Sequence, residues 1–375
     1  MKLTLRLISR FFALIFVLNA CSPADDIRPD DPELEKMIGQ MLMTGFRGFE
    51  ITEDDQVAKD IRDGRIGGVV LFDLDVALGF VPRNIESPEQ VLALNNQLAA
   101  LAGDIPLLIS VDQEGGRVAR LKEEYGFPPT VTQEYLGTLN NDDSTRFYGG
   151  RIAQTLLDHG FNQNLAPVVD VNINPESPAI GAIGRSFSED EELVVHHAGL
   201  VIDEHRQRGL ITTLKHFPGH GSATEDSHLG FTDVTDTWQA SELIPYRRLI
   251  EQDRVDVIMT AHIFNANWDA NYPATLSKNV MTGMLRNELG FEGVIITDDM
   301  NMGAITNHYG LEEAIHRTIY AGVDILIFAN NLVYDEMIAI TAMDMILGLV
   351  EDGLLTRERI EESYQRIMLL KDALN

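Results

Sequence analysis

Gly209-Leu210-Ile211-Thr212-Thr213-Leu214-Lys215-His216-Phe217-Pro218-Gly219-His220-Gly221 decides how this chain folds. Its first half is an unbroken apolar and β-branched run, the pattern of a strand buried on both faces. Its second half turns at once to a cation, two histidines, a proline and glycines, and Asp226-Ser227-His228 follow shortly after. Titratable groups on a loop that leaves a buried strand are the layout of α/β folds.

Working outward, the same alternation repeats along the chain. Continuous apolar runs at 40–46, 66–72, 106–112, 161–167, 210–217, 255–262, 293–298 and 323–329 read as strands. Helical patterns fill the intervals at 88–102, 146–159, 189–208, 240–252, 279–289 and 311–321, then at 334–351 and 357–374. Thr356 is a suitable N-cap for the last of these. Eight strand–helix units predict a single (β/α)8 TIM-type barrel over 34–375. The alternative is a doubly wound open sheet, which usually carries a glycine-rich phosphate turn after its first strand, and none is seen. Strand candidates running close to the C-terminus leave little room for a second domain.

The chain has 375 residues, 45% of them apolar, enough for a large core. Its 58 acidic against 29 basic residues give a net charge of −29. That balance argues against nucleic acid, which needs a basic stripe, and against an electrostatic hold on anionic lipid. Ahead of the barrel, Lys2, Arg6 and Arg10 precede an apolar run at 11–18 that is too short for a permanent span. Cys21, the only cysteine, ends that region. The pattern resembles a bacterial lipoprotein signal over 1–20, with Cys21 lipidated and 21–33 as a tether. It implies an exported protein held at a membrane by its lipid, facing the periplasm or on the outer membrane. Ser22 gives no Asp-type retention signal and favours the outer membrane.

Barrels gather reactive groups at the C-terminal ends of their strands. The third strand runs into Asp112-Gln113-Glu114-Gly115-Gly116-Arg117, with Arg120 a turn later, and the fourth leads to Asp170 and then Arg185. The fifth carries Lys215 and His216, the sixth ends at His262, and the seventh ends in Asp298-Asp299. Asp298, fixed by a rigid strand, suits a nucleophile. Asp299 alternates away and suits the N-terminus of the next helix. Asp112, Arg117, Arg120 and Arg185 suit hydroxyl-rich ligands, although an ion pair at the rim fits Arg117 equally well. Asp170 reads as a structural group. His159, His196, His197, His205, His308 and His316 read as packing or surface residues. His216, His220, Asp226 and His228 could together hold a metal, but Pro218 and Gly219 prevent the first two from sharing a helix face. The competing reading pairs Asp226 with His228, the carboxylate orienting the imidazole for proton transfer.

The run K-H-F-P-G-H-G-x4-D-S-H, together with V-D-Q-E-G-G-R-V-x-R-L, I-T-D-D-M-N-M, and the motifs at 37–46 and 66–72, resembles glycoside hydrolase family 3, in its β-N-acetylglucosaminidase (β-N-acetylhexosaminidase) branch. The resemblance covers everything after the tether. It implies a cofactor-free, metal-independent barrel acting on β-linked N-acetylglucosaminide oligosaccharides, from peptidoglycan or chitin. It implies Asp298 as nucleophile, His228 as acid/base oriented by Asp226, and Lys215, His216, Asp112, Arg120 and Arg185 as sugar ligands. Retaining glycosidases usually use two carboxylates, and the Asp–His pair takes the place of one. Related β-glucosidases take their acid from a later domain. A phosphorylase and a non-catalytic glycan binder remain as alternatives, and nothing in the sequence sets the oligomeric state.

Overall fold

The structure is a computed structural model describing residues 31–227 and 230–374. Cys21 and His228 lie outside the described residues. The barrel strands are β1 (Leu42–Gly45), β2 (Gly68–Leu71), β3 (Leu108–Val111) and β4 (Gln163–Asn164). They continue as β5 (Ile211–Phe217), β6 (Val257–Thr260), β7 (Val294–Asp299) and β8 (Ile325–Phe328). All run parallel in sequence order and close into a barrel, β8 pairing back to β1 through Leu42↔Leu326 and Met43↔Ile327. Each overlaps an expected strand, so the (β/α)8 expectation holds. Helices cover the outer face of these strands, which is why their sequences are apolar throughout rather than alternating.

Local chemistry sets the helix starts. Ser87 Oγ accepts from Gln90 N ahead of Pro88, and Asp190 Oδ1 accepts from Glu192 N and Leu193 N. Thr356 Oγ1 accepts from Arg359 N, as its position predicted. Four α-helices among the described residues were not anticipated: Pro32–Gln40, Gln56–Arg62, Gln133–Leu139 and the single turn Gly303–Thr306. The first overlaps Pro32 and Glu33 of the expected tether. The segment Asn279–Glu288 is a π-helix, with Leu289 N reaching Met284 O at 3.0 Å.

The shortest barrel strand, β4, is fastened by side chains instead of a long ladder. Gln163 accepts from Ser110 Oγ at 2.7 Å and donates to Thr213 Oγ1 at 3.0 Å, a buried polar rung across β3, β4 and β5. Asn164 Oδ1 accepts from Gln113 N, so the side chain does the work of a missing backbone pair. Strand register shifts between Ile258 and Thr260 and between Ile296 and Asp299, both at the C-terminal end of the barrel. Such irregularities re-aim side chains, here those of the seventh strand's acidic end. At the opposite end, Lys371 donates to Gln40 Oε1 and Gly67 O, both at 2.7 Å. Among the described residues, no helix is long and apolar enough to cross a membrane.

Candidate active site

Asp112, Arg120, Arg185, Lys215, His216, Asp226 and Asp298 all line one cavity of about 280 Å³ at the C-terminal end of the barrel. They come from different strand ends and the loops beyond, so only barrel closure brings them together. Val70, Phe72, Leu165, Met259 and Ile327 add apolar wall. A cavity with charged groups on one part of its wall and apolar side chains on another suits a ligand that is both hydroxylated and ring-shaped.

The charged wall is an alternating network. Lys215 Nζ lies 2.6 Å from Asp112 Oδ1 and 2.7 Å from Glu114 Oε1. Arg185 grips Glu114 with both prongs, Nε to Oε2 at 2.8 Å and Nη2 to Oε1 at 2.7 Å. A bidentate pair of this kind fixes the guanidinium plane as well as its charge. Arg185 Nη2 also donates to His216 Nε2 at 3.2 Å. Because an arginine can only donate, Nε2 is the acceptor and Nδ1 carries the proton given to Asp170 Oδ2 at 2.7 Å. Arg120 approaches Asp112 Oδ2 at 3.5 Å from the other side.

Burial opposes ionisation of Glu114, but Arg185 and Lys215 outweigh it and hold the carboxyl down at about 2. Burial likewise opposes ionisation of Asp112 and Asp170, and cationic or imidazole neighbours keep both below the usual carboxylate range. These acids therefore stay anionic and act as acceptors. Glu114 is fully buried behind the wall, whereas Asp112 keeps part of its carboxylate exposed to the cavity. Asp298 is half-buried, its Oδ1 accepting from Asp299 N at 2.8 Å, which orients the carboxylate.

Residues 33–370 match the model of the Glycosyl hydrolase family 3 N terminal domain.

The chain belongs to glycoside hydrolase family 3.

It is 31% identical over 378 residues to beta-hexosaminidase A of Pseudoalteromonas piscicida, covering 90% of this chain and 61% of that one. It is 34% identical over 293 residues to a beta-hexosaminidase of Tolumonas auensis, covering 77% of this chain and 83% of that one. The solved family 3 beta-N-acetylglucosaminidase of Paenibacillus sp. str. FPU-7 superposes with a TM-score of 0.82 at 35% identity, covering 91% of this chain and 62% of that one. The chain thus spans about three-fifths of the length of two of these relatives.

Within this family 3 barrel, the described residues that the family resemblance marks as sugar ligands or reacting groups all reach the cavity. Arg117 does not line it and is exposed on the loop. Asp299 differs from expectation: rather than capping a helix, its Oδ1 accepts from Ala329 N at 2.9 Å and Asn301 N at 3.0 Å. It ties the end of β8 to the turn after β7, and so supports Asp298. Asp170 is a brace, as its sequence position suggested. His216 and His220 face separate partners, Asp170 and Ser227. Among the described residues, no group of three His, Cys, Asp or Glu side chains is set to hold a metal.

Sequence reasoning passed over Glu114 and Glu242. Glu114 was legible, since two residues past Asp112 on an extended segment a side chain returns to the same face. Glu242 was not, because it reaches the loop after β5 from about twenty residues downstream. Its Oε2 accepts from Gly221 N at 2.9 Å and Ser222 N at 3.2 Å.

Proposed function

We propose that the protein is a retaining, exo-acting β-N-acetylglucosaminidase that removes terminal β-linked N-acetylglucosamine from peptidoglycan fragments or chitin oligosaccharides. The observation carrying this reading is the convergence of Asp298 and Asp226 on one small cavity walled by Asp112, Arg120, Arg185, Lys215 and His216. A cavity of this size above a packed barrel core suits one terminal ring. The names of the family relatives support the N-acetylhexosaminide class.

Asp112 and Lys215 would bind ring hydroxyls as acceptor and donor. Asp298 would attack the anomeric carbon as His228, oriented by Asp226, gives its proton to the departing oxygen, leaving a glycosyl ester on Asp298. His228 then takes a proton from water as that water attacks the same carbon. The ester breaks, Asp298 returns as carboxylate, and the sugar leaves with its β-configuration retained.

Asp298→Asn should lower hydrolysis of nitrophenyl β-N-acetylglucosaminide by at least about 10³-fold, the scale of losing a nucleophile. Near-normal turnover in that variant would overturn the assignment. His228→Ala should lower kcat/KM for chitobiose far more than for an activated aryl glycoside. Added phosphate that yields sugar 1-phosphate instead of free sugar would identify a phosphorylase. We also propose that Cys21 is lipidated. Cys21→Ser should move the protein from the membrane to the soluble fraction of expressing cells, and an unchanged distribution would refute the anchor.

A further inference from the structure

The loop after β5 is fastened in two stages. Its stem is held almost atom by atom: Pro218 O accepts from Trp238 Nε1, and Gly221 N and Ser222 N donate to the buried Glu242. The loop also donates from His220 N to Asp170 Oδ1 at 2.8 Å, and Gly221 O accepts from Asn174 N at 3.0 Å. A Cβ on Gly221 would fall 1.7 Å from Val171 O, so the stem packs too closely for any other residue. Beyond Ala223 the chain runs outward, and Thr224 and Glu225 are exposed. It then turns back at Ser227, which is buried, with Oγ 3.0 Å from His220 Nε2.

Ser227 stands between Asp226 and His228. A side chain pinned at Ser227 restricts the backbone of Asp226 next to it. His220 is itself immobilised, with only 3% of its surface exposed and its ring 5.9 Å from that of His216. Burial, aided by His216, holds its imidazole down at about 4. It therefore stays uncharged at neutral pH and is poorly suited to donate a proton to a leaving group. Its role is geometric.

We propose that His220 is a positioning residue for proton transfer: through its hydrogen bond to Ser227 it sets the place of the adjoining Asp226, the carboxylate read as orienting His228. The inference rests on the reading of those two residues as the acid/base pair. It differs from a packing role for His220 in what its loss would do. Misplacing the acid costs most where the leaving oxygen must be protonated, and least where it leaves unaided.

The test compares Ser227→Ala, His220→Leu and the conservative His220→Gln, whose amide nitrogen can still reach Ser227. The substrates are chitobiose and 2,4-dinitrophenyl β-N-acetylglucosaminide, read as kcat/KM so that only the step forming the glycosyl-enzyme is seen. Ser227→Ala and His220→Leu should lose about 10- to 100-fold on chitobiose and less than about threefold on the aryl glycoside. His220→Gln should recover to within about threefold, and the Ser227→Ala/His220→Leu double variant should lose no more than the worse single one. Equal losses on both substrates, an additive double variant, or no loss would overturn the proposal. Hydrogen exchange of the free proteins is a second measurement that needs no activity. Amides 224–227 should exchange faster in Ser227→Ala while those of the stem do not, and unchanged exchange overturns the clasp. If the unaltered protein cleaves neither substrate, the glycosidase reading fails while the exchange result still judges the His220–Ser227 contact. Ser227→Ala removes a single hydroxyl, so loss of folding does not confound it.

Discussion

At the scale of residues, the cavity wall works because each buried charge has a partner of opposite sign. Glu114 illustrates this most sharply, with Arg185 and Lys215 both within 2.7 Å of one oxygen. Glu114→Gln would leave Arg185 without its paired carboxylate and Lys215 with Asp112 alone, so it should destabilise the fold by about 3–5 kcal/mol at pH 7. Because the folded carboxyl titrates near 2 and the unfolded one near 4.5, this group's stabilisation is complete above about 4.5. It is lost as pH falls through about 2, so the gap between wild type and variant should shrink with acidification. Urea unfolding at pH 7 and pH 3 would show it, and a gap independent of pH would contradict the ionised pair. Asp112 and Glu114 could be placed on one face from sequence alone. That Glu114 lies behind the wall while Asp112 faces the cavity could not, because both lie on the same side of an extended segment and differ only in what covers them.

At the scale of elements, the segment from β5 through its loop was the most legible part of the chain. The buried strand, its abrupt polar end and the stiff Pro–Gly turn are local properties, and the structure has them where the sequence does. What holds the loop is not local. Glu242, on the 3₁₀ turn Ala240–Leu243, takes the amides of Gly221 and Ser222, and burial raises its carboxyl to about 7 despite those hydrogen bonds. In the unfolded chain the same group loses its proton near 4.5. Its contribution is therefore full below that value and declines as pH rises through 7. Glu242→Gln should flatten the fall in thermal stability between pH 5 and 8, and an unaltered slope would show that another group is responsible. Gly221→Ala should destabilise the fold by at least about 2 kcal/mol, because its methyl would meet the Val171 carbonyl. A melting temperature within a degree of wild type would mean that the backbone yields there.

At the scale of the whole molecule, closure brings the first and last described helices together beneath the barrel. Lys371, from the last helix Arg357–Asp372, reaches Gln40 at the end of the helix Pro32–Gln40. Burial lowers its ammonium to about 7. Between about 7 and 10.4 the unfolded chain holds a proton that the folded one lacks, so this group favours folding increasingly as pH rises through that window. Lys371→Met should lose ground to wild type as pH rises from 7 to 10, and a constant difference in melting temperature would refute the lowered value. The sequence by itself determined the strand–helix alternation, the barrel class, the family and the residue types of the site. Those depend on local periodicity and on short motifs whose members are neighbours in the chain. Only the tertiary structure decided which acid faces the cavity, that Asp299 ties β8 rather than capping a helix, and that Glu242 and His220 hold the loop. Each is a hydrogen bond or a difference in burial that arises only in the folded chain, whether between neighbouring strands, as for Asp299 and Ala329, or within one loop, as for His220 and Ser227.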